Sequence, residues 1–401
     1  GHKVLVITHE YAGADHHDGL CYIANDRTIT PSPSPNSSSV RLNEDNLSEL
    51  DTSIVKGKSE KNILQTPPSQ SQSRLPVYYL PKTVVYQQAT LPSLYSIYYL
   101  QRIKDIFINE GVSIVHGHQS TSTMAHECIF IARAMGLHTV FTEHSLYKPS
   151  VSYYDIFSFD SFVNFFLRIT LSNVDHVICV SNSCKENLLQ RANKDKDDNE
   201  SLSCSTIPNA IDPQKFKPNA AMNMTTRDAN TRVKVIVMSR LVYRKGIDLL
   251  VQLMPDICQQ YPEVDFLIGG DGPKCELIEL MLKENHSLFG RVELVGAVQH
   301  NDVRDVLIKG DIFLNCSYTE SFCVSLIEAA SCGLRVISTN VGGVPEVLPS
   351  DMTILVEPNV GDLLSALSIA VSDTLAMKQS PRQMKAHQSK VMANHSTIAN
   401  M

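Results

Sequence analysis

The sequence predicts an α/β protein built from two facing Rossmann-like domains with parallel sheets. Three observations carry that expectation. The chain has 401 residues, and domains usually run to ~100–200 residues, so two cores fit. Short apolar or β-branched runs alternate with longer stretches of helical period, the pattern of a parallel sheet covered by helices. The alternation also occurs twice, on either side of the polar stretch 217–232.

In the first series the expected strands are Lys3–Thr8, Val77–Leu80, Ser113–His116, Thr139–Thr142 and His176–Val180, and the expected helices are Ser93–Asn109, Thr121–Met135 and Ser183–Ala192. The second series offers strands at Val233–Ser239, Asp265–Gly270, Val292–Val295, Ile312–Asn315, Val336–Ser338 and Thr353–Val356. Its helices are Ile247–Gln260, Lys274–Glu284, Asn301–Lys309, Phe322–Cys332 and Asp362–Val371. The implied domains are 1–216 and 233–371, joined by a linker at 217–232. Residues 26–74 contain 11 Ser and 5 Pro and no aromatic residue. Such a segment buries too little apolar surface to offset chain entropy, so it is expected to be a disordered insertion. The polar tail 372–401 shows no sustained apolar periodicity and is expected to be poorly ordered.

Composition narrows the function classes. With 35 Lys+Arg against 42 Asp+Glu the formal net charge is -7, and no long basic block is present, which argues against nucleic acid as a partner. Ten Cys occur without a C-x-x-C pair, as in a chain whose thiols stay reduced in a cytosol-facing setting. No run reaches the ~18 consecutive apolar residues that cross a bilayer, and no signal peptide opens the chain at Gly1-His2-Lys3. A soluble chain is expected.

Ligands of open parallel sheets bind at the carboxyl ends of the strands, so the residues there come first. Ser239–Gly246 (SRLVYRKG) sits between an expected strand and a helix. Arg240 and Lys245 can meet a phosphate there, beside a positive helix end; a solvated basic loop is the alternative. Gly269-Gly270-Asp271-Gly272-Pro273 follows another strand. Gly270 and Gly272 allow close backbone approach to a ligand, but a tight turn asks for the same residues. It is not G-x-G-x-x-G, so a nicotinamide or flavin cofactor gains no support.

Thr319–Gly333 is sharper. Glu320 lies in the turn, and Glu328 falls eight residues later, close to the same face of a helix. The amides of Phe322, Cys323 and Val324 would point at an anion, and a carboxylate above them can accept hydrogen bonds from sugar hydroxyls. An ordinary amphipathic helix with an N-terminal Glu is the alternative. In the first half, His116 and His118 follow one strand and His144 the next. Each can bond a sugar hydroxyl or be a merely packed imidazole. No H-E-x-x-H or Cys/His cluster supports a metal, and none is expected.

These residues resemble a known family. The Glu320/Glu328 pair matches the E-x(7)-E motif of retaining glycosyltransferases with the GT-B fold. Ser239–Leu250 (SRLVYRKGIDLL), Ile268–Lys274 (IGGDGPK), Glu328–Leu334 (EAASCGL) and Val341–Pro349 (VGGVPEVLP) are similar to the catalytic A subunits of phosphatidylinositol N-acetylglucosaminyltransferases. Val77–Pro81 (VYYLP), Met124–His126 (MAH), Thr139–Leu146 (TVFTEHSL), His176–Ser181 (HVICVS) and Ile207–Asp212 (IPNAID) agree with the same family. The resemblance covers roughly residues 1–25 and 75–370.

It implies transfer of N-acetylglucosamine from UDP-GlcNAc to phosphatidylinositol, the first step of GPI-anchor biosynthesis. The setting would be the cytoplasmic face of the endoplasmic reticulum membrane, in a complex with other subunits and without metal or cofactor. Carried over by position, Arg240 and Lys245 would hold the diphosphate, and Glu320 the sugar, together with the amides at Phe322 and Cys323. Glu328 would take the ribose hydroxyls, His144 would lie near the donor sugar, and the Gly296–His300 loop, with Val298, would pass the uracil. His116 and His118 would lie on the acceptor side. Against the family pattern, the first strand, Gly-rich loop and helix are missing before Gly1, residues 26–74 are inserted, and residues 372–401 match neither the returning helix nor the membrane segment. Two other readings stand beside this one: a non-catalytic remnant that binds UDP-sugar or partner subunits, and a sugar transferase or UDP-sugar epimerase of the same architecture.

Overall fold

A computed structural model describes residues 4–9, 20–23, 75–80, 84–86, 89–90, 97–147, 159–192, 202–218 and 232–400. The expected insertion 26–74 and most of the expected linker lie outside the described residues. The chain divides into two compact units, Gly1–Val84 and Val85–Met401.

The first unit contains a three-stranded sheet of β1 (Val6–His9), β2 (Leu20–Ile23) and β3 (Leu75–Leu80), with β3 in the middle. β1 and β3 run parallel, Val6 opposite Val77. β2 joins β3 antiparallel, Leu20 opposite Tyr78, so this sheet departs from the all-parallel expectation.

After the short strands β4 (Val84–Tyr86), whose first residue closes the first unit, and β5 (Ala89–Thr90), the second unit continues with α1 (Ile97–Asn109), β6 (Ile114–His118), α2 (Thr123–Ala134) and β7 (His138–Glu143). α3 (Phe159–Leu171), β8 (His176–Cys179), α4 (Asn182–Arg191) and β9 (Cys204–Thr206) follow. Strands β6 to β9 form a parallel sheet in chain order. Alternate residues of β6 and β8 are buried, because one face of each strand is covered by helices.

The second series is β10 (Val233–Met238), α5 (Ile247–Gln260), β11 (Val264–Gly269), α6 (Cys275–Glu284), β12 (Val292–Gly296), α7 (Val303–Leu307), β13 (Ile312–Asn315), α8 (Val324–Ser331), β14 (Arg335–Thr339), β15 (Thr353–Val356), α9 (Val360–Gln379) and α10 (Pro381–Asn400). Its six strands are all parallel, in the order β12-β11-β10-β13-β14-β15. The chain reverses direction across the sheet between β10 and β13, the kind of switch point where open sheets bind ligands. β13 is buried at every position, as a central strand covered on both faces must be.

The two parallel sheets share a core. One apolar cluster runs from Ile129, Phe141 and Leu188 through Phe216 to Phe322, Leu326 and Val344. That is why the expected boundary at 217–232 does not separate compact units: Phe216, the last residue of the expected first domain, is itself buried, and its carbonyl accepts a 2.6 Å bond from Ser331 Oγ.

The tail corrects a sequence expectation. Residues 360–379 and 381–400 are helical, and α10 docks on α8: His395 Nδ1 lies 3.0 Å from Ser331 Oγ, and Ile398 is buried. A Cβ built on Gly333 would come within 2.6 Å of Val391, so the glycine lets α10 approach closely. Tertiary packing, rather than a marked apolar stripe, orders this helix. α9 is long and apolar enough to cross a membrane by length and composition. Its Leu363, Leu367, Ala370 and Val371 are, however, buried in the core beside α5, as suits a core helix.

Candidate functional site

Every candidate residue lies in the second unit, and several converge at the carboxyl ends of the parallel strands. The basic loop follows β10. Its Tyr243–Lys245 turn is a single 3-10 turn ending at Gly246, and it sends Lys245 toward the loop after β13, where Glu320 waits. Lys245 Nζ and Glu320 Oε1 form a close ion pair, with side chains 17% and 10% exposed. Ser317 Oγ lies 2.8 Å from both that same carboxylate oxygen and Asn315 Oδ1, and Asn315 Nδ2 donates to Ser338 Oγ at 2.9 Å. Glu320 is thus held on a polar ladder that descends into the sheet. Arg240, by contrast, is exposed, and its side chain has no partner among the described residues. It is a cation free to meet an incoming anion.

The helix at this edge is shorter than expected. α8 starts at Val324 rather than Phe322, and Cys323 before it has φ 65° and ψ 70°. A non-glycine residue in the left-handed region costs energy and marks sites where the surroundings over-determine the backbone. Nothing in the sequence signals this conformation. Its consequence is that Glu320 is no part of the helix, so the helical spacing to Glu328 does not apply. Glu320 belongs to the polar ladder, while Glu328 stands half-buried on α8 near Lys215. Burial raises the Glu328 pKa, partly opposed by Lys215. Cys323 has no side-chain bond capping the helix, so no side chain occupies the opening amides of α8; the third of them, Leu326 N, bonds the Cys323 carbonyl at 3.2 Å. The Phe322 and Cys323 side chains are buried; what these residues offer a ligand is backbone.

Gly270 and Gly272 have a local explanation. A Cβ on Gly270 would lie 1.8 Å from the Ser239 carbonyl oxygen, and one on Gly272 would lie 2.5 Å from that of Leu241. Leu241 N also bonds the Asp271 carbonyl at 2.8 Å. The glycines therefore let the two loops pack, which brings the basic loop to its place. Val298, in the loop after β12, is partly buried against the shared cluster.

From the other sheet come three histidines. His116 Nε2 is 2.6 Å from Thr142 Oγ1, and His118 Nδ1 is 3.0 Å from His144 Nε2. The His116 and His118 rings stack at 4.2 Å. Burial lowers all three pKa values. For His116 a repulsion from His144 adds to it, His118 falls to about 4 with its two neighbours contributing, and Glu143 partly opposes the shift at His144. Neutral imidazoles at pH 7 can donate or accept a hydroxyl hydrogen bond. Among the described residues no group of three His, Cys, Asp or Glu side chains is placed to hold a metal ion.

The depressed values carry a pH prediction. A histidine that ionises less readily folded than unfolded makes the unfolded chain bind more protons between the two pKa values. Stability is then complete above the unfolded value near 6.5 and declines as pH falls toward about 4. Thermal melts over that window should show a falling midpoint, and His118→Gln should flatten the decline.

The loop carrying His144 touches the loop carrying Glu320. Ser321 Oγ donates to the His144 carbonyl, and Ser181 Oγ donates to that of Ser321 at 2.6 Å. Glu346 accepts from Asn182 N at 2.6 Å and Ser183 N at 2.9 Å, at the start of α4. The structure therefore brings His144, Glu320 and Lys245 into one region. The sequence does not disclose the supports: Asn315, Ser317 and Ser321 lie in or beside a recognisable motif, but nothing marks their partners. A separate apolar cavity of about 320 Å³ opens between α2 and α3, lined by Phe130, Phe165 and Ile169, away from this cluster.

Residues 71–150 match the family model described as PIGA (GPI anchor biosynthesis), and residues 225–390 match that of glycosyl transferases group 1. The chain is 46% identical over 299 residues to the A subunit of phosphatidylinositol N-acetylglucosaminyltransferase from Homo sapiens, covering 75% of this chain and 58% of the relative. It is 45% identical over 298 residues to the protein of the same name in Arabidopsis thaliana, covering 74% and 62%. The chain thus spans about three fifths of the length of these relatives. Among solved structures, sucrose-phosphate synthase from Thermosynechococcus elongatus aligns with a TM-score of 0.60 at 21% identity, over 81% of each chain. Anabaena HepE in complex with UDP aligns at 0.57 and 17%, over 81% of this chain and 85% of that one. At such identities the likeness is one of fold.

Proposed function

The chain belongs to the family of phosphatidylinositol N-acetylglucosaminyltransferase A subunits, with the GT-B fold of the group 1 glycosyl transferases, and from that premise we propose that it transfers N-acetylglucosamine from UDP-GlcNAc to phosphatidylinositol. The observation that carries the reading is the Lys245–Glu320 pair at the sheet's switch point, with exposed Arg240 on the same loop as Lys245 and α8 starting four residues after Glu320.

In this reading the diphosphate meets Arg240 and Lys245, with the amides of α8 as further donors. Charge develops on the leaving diphosphate as the sugar bond breaks, and fixed cations and amides stabilise that charge best in the transition state. Glu320, aligned by Ser317, accepts from sugar hydroxyls, and Glu328 accepts from the ribose. His144, neutral at pH 7, bonds the sugar from the opposite sheet; His116 and His118 continue that polar surface toward the acceptor. The uracil passes Val298. The reaction retains anomeric configuration and takes place at the cytoplasmic face of the endoplasmic reticulum, within a complex of further subunits.

Because the chain's own cations neutralise the diphosphate, the activity is expected to need no divalent metal. The test is formation of GlcNAc-phosphatidylinositol by membranes of cells that express this chain in place of their own catalytic polypeptide. Labelled product that persists in EDTA supports the reading. Loss in EDTA that added divalent metal restores would contradict the metal-free mechanism, and a sugar product on another acceptor would contradict the acceptor.

A further inference from the structure

We propose that the buried Glu143–Arg191 pair is a positioning device that fixes His144 for contact with the donor sugar, an inference that rests on the donor-binding reading above. Glu143 ends β7 and Arg191 ends α4. Their side chains are 0% and 1% exposed, so neither can touch a ligand. A buried ion pair is costly to desolvate, and apolar residues of similar volume often serve stability as well or better. Its hydrogen bonds, however, all converge on one loop or on the groups beneath it.

Arg191 donates to Glu143 Oε2 at 3.3 Å, to Asn164 Oδ1 at 2.8 Å and to Ser120 Oγ at 3.0 Å, and its guanidinium lies 4.3 Å from the centre of the Tyr147 ring. The other oxygen of Glu143 accepts from His144 N at 3.0 Å and from Ser145 N at 3.1 Å. A second clamp reinforces the first. Gln119, in the left-handed region with φ 75°, donates to Ser145 Oγ at 2.7 Å and to Tyr147 OH at 3.0 Å. Asn187 then bonds both the amide and the carbonyl of Tyr147. Residues 144–147 are thus pinned from below through backbone, hydroxyl and ring.

On its upper side the pinned loop presents two features. The His144 imidazole meets His118, and the His144 carbonyl receives Ser321 Oγ, next to Glu320. Without the Glu143 carboxylate the two amides lose their acceptor. Buried amides left unpaired are costly, so the loop would move to find water and carry His144 with it.

The test is calorimetric titration of UDP-GlcNAc and of UDP into the wild-type chain, Glu143→Gln, the double variant Glu143→Leu/Arg191→Met, and His144→Ala. Whichever way it turns, the glutamine of the first variant sets an NH2 donor against donors, either those of Arg191 or the two loop amides, so the clamp is broken or strained on one side; the double variant removes both charges and the acceptor of the two amides together. The expected result is a roughly three- to tenfold rise in the ratio of the UDP-GlcNAc to the UDP dissociation constant, the size of one lost hydrogen bond, in all three variants. UDP affinity should stay within about twofold of wild type, since a structural lesion would weaken both ligands. Should Glu143→Gln fail to melt cooperatively, the double variant gives the answer. An unchanged ratio in a folded variant overturns the proposal, as does loss of the cooperative melt in both. Wild-type protein that binds neither ligand would instead sink the donor-binding reading on which the proposal stands.

Discussion

Lys245→Ala is expected to lower kcat/KM for UDP-GlcNAc by roughly 10²–10³-fold, the range seen when one preorganised donor to developing charge is removed. The loss should fall mainly on kcat, because the lysine's contact strengthens as the diphosphate leaves. Without the donor, Lys245 is paired with Glu320. The substitution therefore also strands a carboxylate that is 10% exposed, with the Ser317 hydroxyl left to support it. A lower melting midpoint should accompany the kinetic defect, and Lys245→Ala/Glu320→Gln should recover the midpoint without recovering the rate. Glu320→Ala should impair UDP-GlcNAc use comparably. Ser38→Ala, in the expected insertion 26–74, should change nothing; equal effects at all three positions would refute the site.

Gly246→Ala is expected to be strongly destabilising for a single-methyl change near the site. Gly246 has φ 67°, and a Cβ there would lie 1.9 Å from the Cys316 carbonyl oxygen. Two penalties combine: the left-handed backbone disfavours alanine, and the clash is with backbone, which cannot rotate away. A cost of about 3 kcal/mol or more is expected. Denaturant melts should show it as a lower midpoint. Whatever folded protein remains should bind UDP more weakly, since relieving the clash pushes the Lys245 turn away from the loop of Ser317 and Glu320. A stability within about 1 kcal/mol of wild type would mean that the two loops are not packed as described.

Much of this site is legible in the sequence, and the rest is hidden for physical reasons. The strand runs of the second series and the motifs after them place Arg240, Lys245 and Glu320 at strand ends. What the sequence does not reveal is that β10 lies beside β13. That adjacency, a property of strand order, makes an ion pair of two residues 75 positions apart. The left-handed Cys323 is equally silent, because no glycine or asparagine marks it. α3 is hard to see because Phe165-Phe166-Leu167 interrupts the polar positions that reveal a helical period. α10 is hidden because its order depends on docking against α8. Glu143 lies within the TVFTEHSL run, whereas Arg191 belongs to no motif, and their pairing joins the end of a strand to the end of a helix 48 residues on.

The measurement that tests the central claim most directly is calorimetric binding of UDP-GlcNAc and UDP to this chain, with Arg240→Ala as the control. Arg240 is exposed and its side chain has no partner among the described residues, so its removal should leave the melt unchanged. The account predicts saturable binding of both ligands to the wild type and a marked loss of both in the variant. Binding that Arg240→Ala leaves intact, or a cooperatively folded wild type that binds neither ligand, would contradict it.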